Sequence, residues 1–435
     1  MRRLGRSRHV RSPINKKRVL FVEQNRDGTV GGSHTALLVL IQNLDRSQFE
    51  PVVAFYELNA LVESFRRHVP VVLLPAPAPF RIARADGAAT LDPIALLALA
   101  ARKIANLLLS FSAATVRTVR VVSIRPHVIH VNNHANPGFE WIIASRVCGA
   151  KLIAHQRGHV PPSWYSTLID RIVCVSKSVQ TGLASWQPEL APSLVHIYDA
   201  IDADVVRSQA CATAAADLRR QFGIGQNELL IGVVGNIKDW KGQDVLIRAL
   251  PMLPRSIPWK CLVIGSVSTS PMSVAYARLL EDLVREYELT DRVVFTGYRP
   301  DVPALVSAMD ILVHTSIAPE PFGLVILEGM ALAKPVVCTA HGGPLEIVED
   351  GVSGFLVPPG DPEALSTRLM TLLVSREMRD QTGRAALQRV TFFNVAQHVE
   401  RMQNMYRSLW QTVTCISAVT ALTELLAALE NLGVC

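Results

Sequence analysis

Residues 229–250 read LLIGVVGNIKDWKGQDVLIRAL, and this stretch decides the fold. Leu229 to Gly235 is a short apolar, β-branched run of strand type, closed by a glycine. Lys238 and Lys241 fall in the turn that follows, before an apolar pattern of helical type resumes. In open α/β sheets the crevice beyond a strand's carboxyl end is where ligands bind. Gly235, Asn236, Lys238 and Lys241 are therefore candidate binding residues, and lysines so placed can neutralise a diphosphate without a metal.

Working outward, the same alternation recurs on both sides. Strands are expected downstream at Trp259 to Gly265, Arg292 to Thr296, Ile311 to Thr315, Pro335 to Thr339 and Gly354 to Val357. Upstream they are expected at Lys17 to Gln24, Pro51 to Tyr56, Val69 to Leu74, Val128 to Val131, Leu152 to His155, Arg171 to Val175 and Leu194 to Tyr198. Strands alternating with helical segments specify parallel sheets covered by helices on both faces. An Ala-rich helical stretch at 207–222 separates the two sets, and helices are expected over 363–410. The expected division is a basic disordered tail (1–17), one Rossmann-like domain (18–205), a second (206–390), and C-terminal helices (391–435), the first of them expected to cross back to the first domain.

Length and composition agree with this division. The chain has 435 residues, 49% apolar and 19% charged, too long for one core and too apolar for a disordered chain. Its charge of +7 is local: Arg2, Arg3, Arg6, Arg8, Arg11, Lys16, Lys17 and Arg18 are eight cations, with no acidic residue among the first 18. The remaining chain carries −1, so nucleic acid is not an expected partner. The tail reads as a solvated leader or as a contact to an anionic membrane surface, and no apolar segment follows it to make a secretory signal. Residues 94–122 are apolar but broken by Arg102 and Lys103, an amphipathic helix rather than a span, suited to packing on a sheet or to a membrane interface. The seven cysteines are scattered without metal-ligand spacing, the pattern of thiols in a reducing compartment. Neither a metal nor a cofactor is expected, and the location expected is cytoplasmic, either free or peripheral at the inner membrane face.

The most informative chemistry lies at 318–333, APEPFGLVILEGMALA. Glu320 precedes a loop with Pro321, Phe322 and Gly323, and a helix starts at once, with Glu328 eight residues after Glu320. Unsatisfied N–H groups around Gly323, Leu324 and Val325, backed by the helix dipole, make a phosphate site. Carboxylates on either side suit a nucleotide sugar, one for sugar hydroxyls and one for ribose. The loop DGTVGGSHT at 27–35, with Gly31 and Gly32, matches neither phosphate-binding fingerprint, but it lets a ligand approach the backbone. His130, His134, His155, His159 and His341 lie near strand ends, with no hydrolase triad among them.

Together these segments resemble the retaining glycosyltransferases of family four, the group 1 type, which have a GT-B fold of two Rossmann-like domains facing a central cleft. The resemblance runs from Lys17 to about Trp410. Its carriers are the glycine-rich loop, VSKS at 175–178, VVGNIKDWKGQD, VVFTGYRPDVPALVSAMDILVHTS, EPFGLVILEGMA and GGPLEIVEDGVSGFLVPPGDPEAL. It implies that Glu320 contacts the donor sugar and Glu328 the ribose, that Phe322 to Val325 line the sugar and diphosphate site, and that Lys241 is the phosphate-binding lysine. It also implies metal-independent transfer from a nucleotide-diphosphate sugar to a hydroxyl acceptor such as a glycan or glycolipid, with donor mainly on the second half and acceptor mainly on the first.

Three positions depart from the family pattern. Asn236 stands where arginine is usual, with Lys238 as partial compensation. The hinge reads YDAID at 198–202 in place of PNG(I/V)D. The first-half catalytic histidine aligns with Asn132, which makes His134 the first choice for that role and His155 the second. His155, Arg157 and Trp164 are acceptor-contact candidates. A nucleotide-sugar epimerase or hydrolase of the same fold and a non-catalytic nucleotide-sugar-binding scaffold are the alternative readings.

Overall fold

The computed structural model describes residues 16–24, 31–76, 115–210 and 212–411. The first sheet contains β1 (Lys17–Glu23), β2 (Phe49–Phe55), β3 (Val71–Leu73), β4 (Val128–Val131), β5 (Lys151–Gln156), β6 (Arg171–Cys174) and β7 (Leu194–His196), in the order β3-β2-β1-β4-β5-β6-β7. The second contains β8 (Leu229–Val234), β9 (Trp259–Ile264), β10 (Val293–Gly297), β11 (Ile311–His314), β12 (Val336–Thr339) and β13 (Phe355–Val357), in the order β10-β9-β8-β11-β12-β13. Each thus reverses direction beside its first strand, the doubly wound pattern whose crevice opens at that reversal. The pairs β1–β2, β1–β4, β8–β9 and β8–β11 are parallel.

All thirteen strands fall within about two residues of the expected positions, because each is a short apolar run and those inside the sheets are buried on both faces, while the edge strands β3 and β10 are partly open. Leu20, Phe21, Ile129, Ile231, Leu262, Leu312 and Val337 are almost inaccessible. The Ala-rich stretch forms two helices, Ala203–Gln209 and Ala212–Gln221. Of the amphipathic segment at 94–122, residues 115–122 belong to a helix that runs to 124, and the remainder lies outside the described residues, as do residues 1–15 of the basic tail and the last twenty-four residues. No described helix is long and apolar enough to cross a membrane.

The described residues fall into two compact units: those up to His155 with Ser163–Ile172 and the stretch from Gln403 onward, and Gln156–Pro162 with Val173–Met402. This differs from a boundary near 205, and hydrogen bonds give the reason. His398 Nδ1 donates to the Tyr198 carbonyl (2.6 Å), and Ile201 N donates to the Phe393 carbonyl (3.0 Å), tying 198–201 into the second unit. In the first unit, the end of the helix Val395–Gln411 is held by Asp45 N donating to Gln403 Oε1 (2.8 Å) and Arg407 Nε donating to Gln48 Oε1 (3.1 Å).

Candidate active site

Because β8 and β11 are neighbours, with Val233 opposite Val313, the loops leaving their carboxyl ends meet. The first loop, after Gly235, turns through Asp239–Lys241 and closes at Gly242, whose φ of +62° favours glycine. A Cβ there would lie 2.2 Å from the Thr315 carbonyl oxygen, so the backbones of the two loops touch at this point. Ile317 N donates to the Trp240 carbonyl (2.9 Å), and Thr315 Oγ1 donates to the Lys241 carbonyl (2.9 Å). Lys241 Nζ, 4.2 Å from the Trp240 ring centroid, is thereby aimed at the second loop.

That second loop carries Glu320. Its N–H donates to the His341 carbonyl (3.2 Å), and its carbonyl accepts from Gly343 N (2.7 Å). Gly342 has φ +81°, and a Cβ on it would come 2.2 Å from the Glu320 carbonyl oxygen, so this close approach requires glycine. Glu320 is 8% exposed. Its Oε2 accepts from Lys241 Nζ (2.6 Å), Ser316 Oγ (2.8 Å) and His314 Nε2 (3.0 Å). Burial alone would raise this carboxyl, but the Lys241 ammonium and the His314 hydrogen bond outweigh burial and hold it well below the usual carboxylate range.

Directly beyond Glu320 the helix Leu324–Ala331 begins, with Gly323 (φ +110°) as its N-cap and no side chain capping it. Among the described residues, the N–H groups of Gly323, Leu324 and Val325 have no acceptor, so the positive end of the helix is open to an anion. Glu328, on the second turn, forms no ion pair or side-chain hydrogen bond among the described residues, and burial pushes its carboxyl up to about 7. The side chain of Phe322 turns away from this surface, stacked on Tyr198 and edge-on to Phe393, each 5.8 Å between centroids. Only its backbone remains to line a ligand.

Gly235 and Asn236 are tied down by Gln243 Nε2, which donates to both carbonyls (3.3 and 3.1 Å), and Asn236 Oδ1 accepts from Ser266 Oγ (2.8 Å). Asn236 is thus a loop anchor where the family pattern has a cation. Lys238 is exposed and forms no ion pair among the described residues.

In the first unit, Gly31 caps the helix Gly32–Asn43, and its N–H donates to His34 Nδ1 (3.2 Å). Asn132 and Asn133 both donate to the fully buried Glu23 carboxylate (2.8 and 2.9 Å), so Asn132 is held by a carboxylate rather than turned to solvent. His134 is half-buried there; desolvation lowers its pKa, partly offset by the Asn136 backbone and by Glu23. His155 is fully enclosed, its Nδ1 3.2 Å from His130 Nε2, while His130 Nδ1 lies 2.6 Å from the Tyr406 hydroxyl. Trp164 is 47% exposed, packed on Phe139 and Tyr165.

In the second unit Arg157 is buried in an ion pair with Asp199. Besides His314, His159 in the same unit is electrostatically coupled to Glu320. Desolvation lowers its pKa, nearby His341 lowers it further and Glu320 opposes both. Its Nε2 is buried without a hydrogen-bond partner among the described residues. His314 and Ser316 are the two contacts of Glu320 that sequence reasoning did not single out, although both lie in its VHTS segment. Among the described residues, no cluster of three or more His, Cys, Asp or Glu is gathered as a metal site.

Residues 215–389 match the family described as glycosyl transferases group 1. A D-inositol 3-phosphate glycosyltransferase of Corynebacterium urealyticum is 32% identical over 201 residues, 45% of this chain and 47% of that protein. A GDP-mannose-dependent alpha-(1-6)-phosphatidylinositol monomannoside mannosyltransferase of Mycolicibacterium smegmatis is 31% identical over 213 residues, 47% of this chain and 53% of that one. The chain spans about half the length of the curated relatives it matches. Among solved structures, Anabaena HepE in complex with UDP and glucose superposes with a TM-score of 0.73 at 25% identity, over 90% of this chain and 100% of that one. A glycosyltransferase from Rickettsia africae shares the fold at a TM-score of 0.75 and 19% identity, over 92% and 100% of the two chains. Residues 215–389 are thus similar to the glycosyl transferases group 1 family, and the chain has the GT-B fold of two Rossmann-like domains.

Proposed function

We propose that this chain is a retaining glycosyltransferase that moves a sugar from a nucleotide-diphosphate sugar to a hydroxyl acceptor on a glycan or glycolipid. The observation that carries the reading is the Lys241–Glu320 pair beside the uncapped helix Leu324–Ala331, with the unpartnered carboxyl of Glu328 one turn further on. A diphosphate fits between the lysine and the helix N–H groups. Glu328 then meets the ribose hydroxyls and Glu320 a sugar hydroxyl. HepE, 25% identical, was crystallised in complex with UDP and glucose, which supports a donor of this class.

The chemistry follows from that placement. The acceptor oxygen bonds to the anomeric carbon as the bond from that carbon to the diphosphate oxygen breaks. The acceptor's proton passes to the departing diphosphate, whose charge Lys241 and the helix N-terminus stabilise most strongly as it develops. On this reading no metal is required, since the lysine and the helix amides do the neutralising. The exposed Trp164, packed on Phe139 and Tyr165, supports an acceptor-side role for that surface of the first unit, and the free cysteines Cys148, Cys174, Cys261 and Cys338 support a reducing, cytoplasmic setting.

A thermal-shift panel of UDP, GDP, ADP and CMP, with and without EDTA, tests the donor class. A nucleotide at about 100 times its Kd adds roughly 2.7 kcal/mol of stability. Selective, EDTA-insensitive stabilisation by one diphosphate is expected, and no stabilisation by any would overturn the reading.

A further inference from the structure

His314 has no part in the proposed chemistry, yet it ends β11 directly behind Glu320 and is 5% exposed. Its Nε2 lies 3.0 Å from Glu320 Oε2 and 3.1 Å from Ser316 Oγ. Its Nδ1 lies 3.4 Å from Thr339 Oγ1, at the end of the neighbouring strand β12. An ionised carboxylate only accepts, so the proton in the Glu320 contact sits on His314 Nε2, while Nδ1 faces the Thr339 hydroxyl. Ser316 Oγ donates to the same Oε2 (2.8 Å). Two fixed donors therefore grip Oε2 from the sheet side, Lys241 grips it from the ligand side, and Oε1 receives no hydrogen bond among the described residues.

Lys241 cannot serve Glu320 and an incoming diphosphate equally. Once the ammonium is drawn to phosphate, a buried carboxylate with no other donor would turn toward solvent or follow the lysine. We propose that His314 is a positioning residue: with Ser316 and Thr339 behind it, it fixes Glu320 Oε2 while Lys241 transfers to the diphosphate, and so presents Oε1 to a hydroxyl of the donor sugar. The proposal rests on the reading of Lys241 as the diphosphate lysine.

The test compares full-length wild type, His314→Leu and His314→Gln for calorimetric affinity toward UDP, UDP-glucose, GDP and GDP-mannose. The glutamine variant retains an N–H donor and serves as the conservative rescue. For the pair that binds, His314→Leu should keep the nucleoside diphosphate affinity within about twofold of wild type. It should lose about tenfold of the affinity for the sugar nucleotide, and His314→Gln should recover most of that loss. Unchanged affinity for both ligands overturns the proposal, as does an equal loss of both, which is the mark of a merely structural role.

A second arm needs no ligand. The imidazole ¹⁵N resonances of His314, assigned by their loss in His314→Leu or, if that variant does not fold, in His314→Gln, should move in Glu320→Gln. Resonances that stay in place overturn the proposal. If wild type binds none of the four nucleotides, the donor reading fails by itself, and the resonances still decide whether His314 holds Glu320.

Discussion

Lys241 Nζ lies 2.6 Å from Glu320 Oε2, so the cation and the carboxylate of this site neutralise each other. Removing one partner of such a poorly hydrated pair leaves the other uncompensated. Lys241→Met should therefore weaken UDP or GDP binding by about ten- to a hundredfold, the range of a hydrogen bond to a charged group. It should leave weak binding of the free nucleoside unchanged. It should also lower Tm, and the double variant Lys241→Met/Glu320→Gln should regain stability without regaining affinity. A double-mutant cycle on Tm and on calorimetric Kd reads the two effects separately; additive stability losses would dissolve the pair as an energetic unit.

Glu328 titrates where binding can be measured. Burial raises its carboxyl to about 7, whereas acceptance of ribose hydroxyls favours the ionised form. Binding below pH 7 must expel a proton, so nucleotide affinity should fall as pH drops through 7, by up to about tenfold per unit. Above pH 7 it should level off. Glu328→Gln should bind more weakly and lose this dependence; a wild-type affinity that is flat between pH 6 and 8 would count against ribose contact by the carboxylate.

The same group sets a stability cost. A carboxyl whose folded pKa lies above its unfolded value supports the fold fully below about pH 4 and progressively less as pH rises through 7. Against the ordinary value of 4.5, a rise to about 7 corresponds to about 3 kcal/mol at alkaline pH. Glu328→Gln should then be more stable than wild type at pH 8, and barely different at pH 4. Thermal melts at the two pH values check this: if Glu328 has the proposed binding role, its cost to the fold is the kind of trade a functional site makes.

The legible parts of the molecule were those written in local pattern. Strand positions followed from apolar runs, because both faces of a covered parallel strand are buried, and Glu320, Glu328 and Lys241 stood beside glycines that mark close backbone approach. His314 was not legible: a histidine ending an apolar strand reads as a satisfied core residue, and its contact with Glu320 exists only because the loop after β11 folds back over the strand's end. His134 and His159 were indistinguishable by spacing. Asn133, at φ +93°, turns the chain before His134 beside Glu23, while His159 lies in the unit that holds Glu320. Arg157 looked available until Asp199, 42 residues away in sequence, was seen to pair with it.

Two motifs that seemed separate in sequence, VSKS and GGPLEIVEDG, are joined through Glu346. Its Oε2 accepts from Lys177 N and its Oε1 from Ser178 N, both at 2.9 Å, capping the helix Lys177–Trp186 with a full negative charge. Glu346→Ala should cost about 1–2 kcal/mol, and Glu346→Gln, which keeps one acceptor, about half as much. Denaturant midpoints would show it, and an alanine variant as stable as wild type would mean that the serine cap at Ser176 suffices.

Gly342 tests whether backbone geometry alone builds the carboxylate side of the site. An alanine there meets two penalties at once, the left-handed φ of +81° and a Cβ 2.2 Å from the Glu320 carbonyl oxygen, which is backbone and cannot swing aside. The left-handed conformation by itself costs about 1 kcal/mol, and relief of the clash requires the Glu320–Gly343 hydrogen bond to lengthen. Gly342→Ala should therefore lose about 2–4 kcal/mol of stability. Because Glu320 moves with its backbone, the variant should lose the extra affinity for a sugar nucleotide more than affinity for the nucleoside diphosphate, which the proposed function assigns to Lys241 and the helix Leu324–Ala331. Gly351→Ala is the control, with a similar φ of +73° but open space around its Cβ. It should show the stability cost of the left-handed backbone and none of the change in sugar-nucleotide affinity; an equal affinity loss in both variants would show that strain, not displacement of Glu320, is responsible.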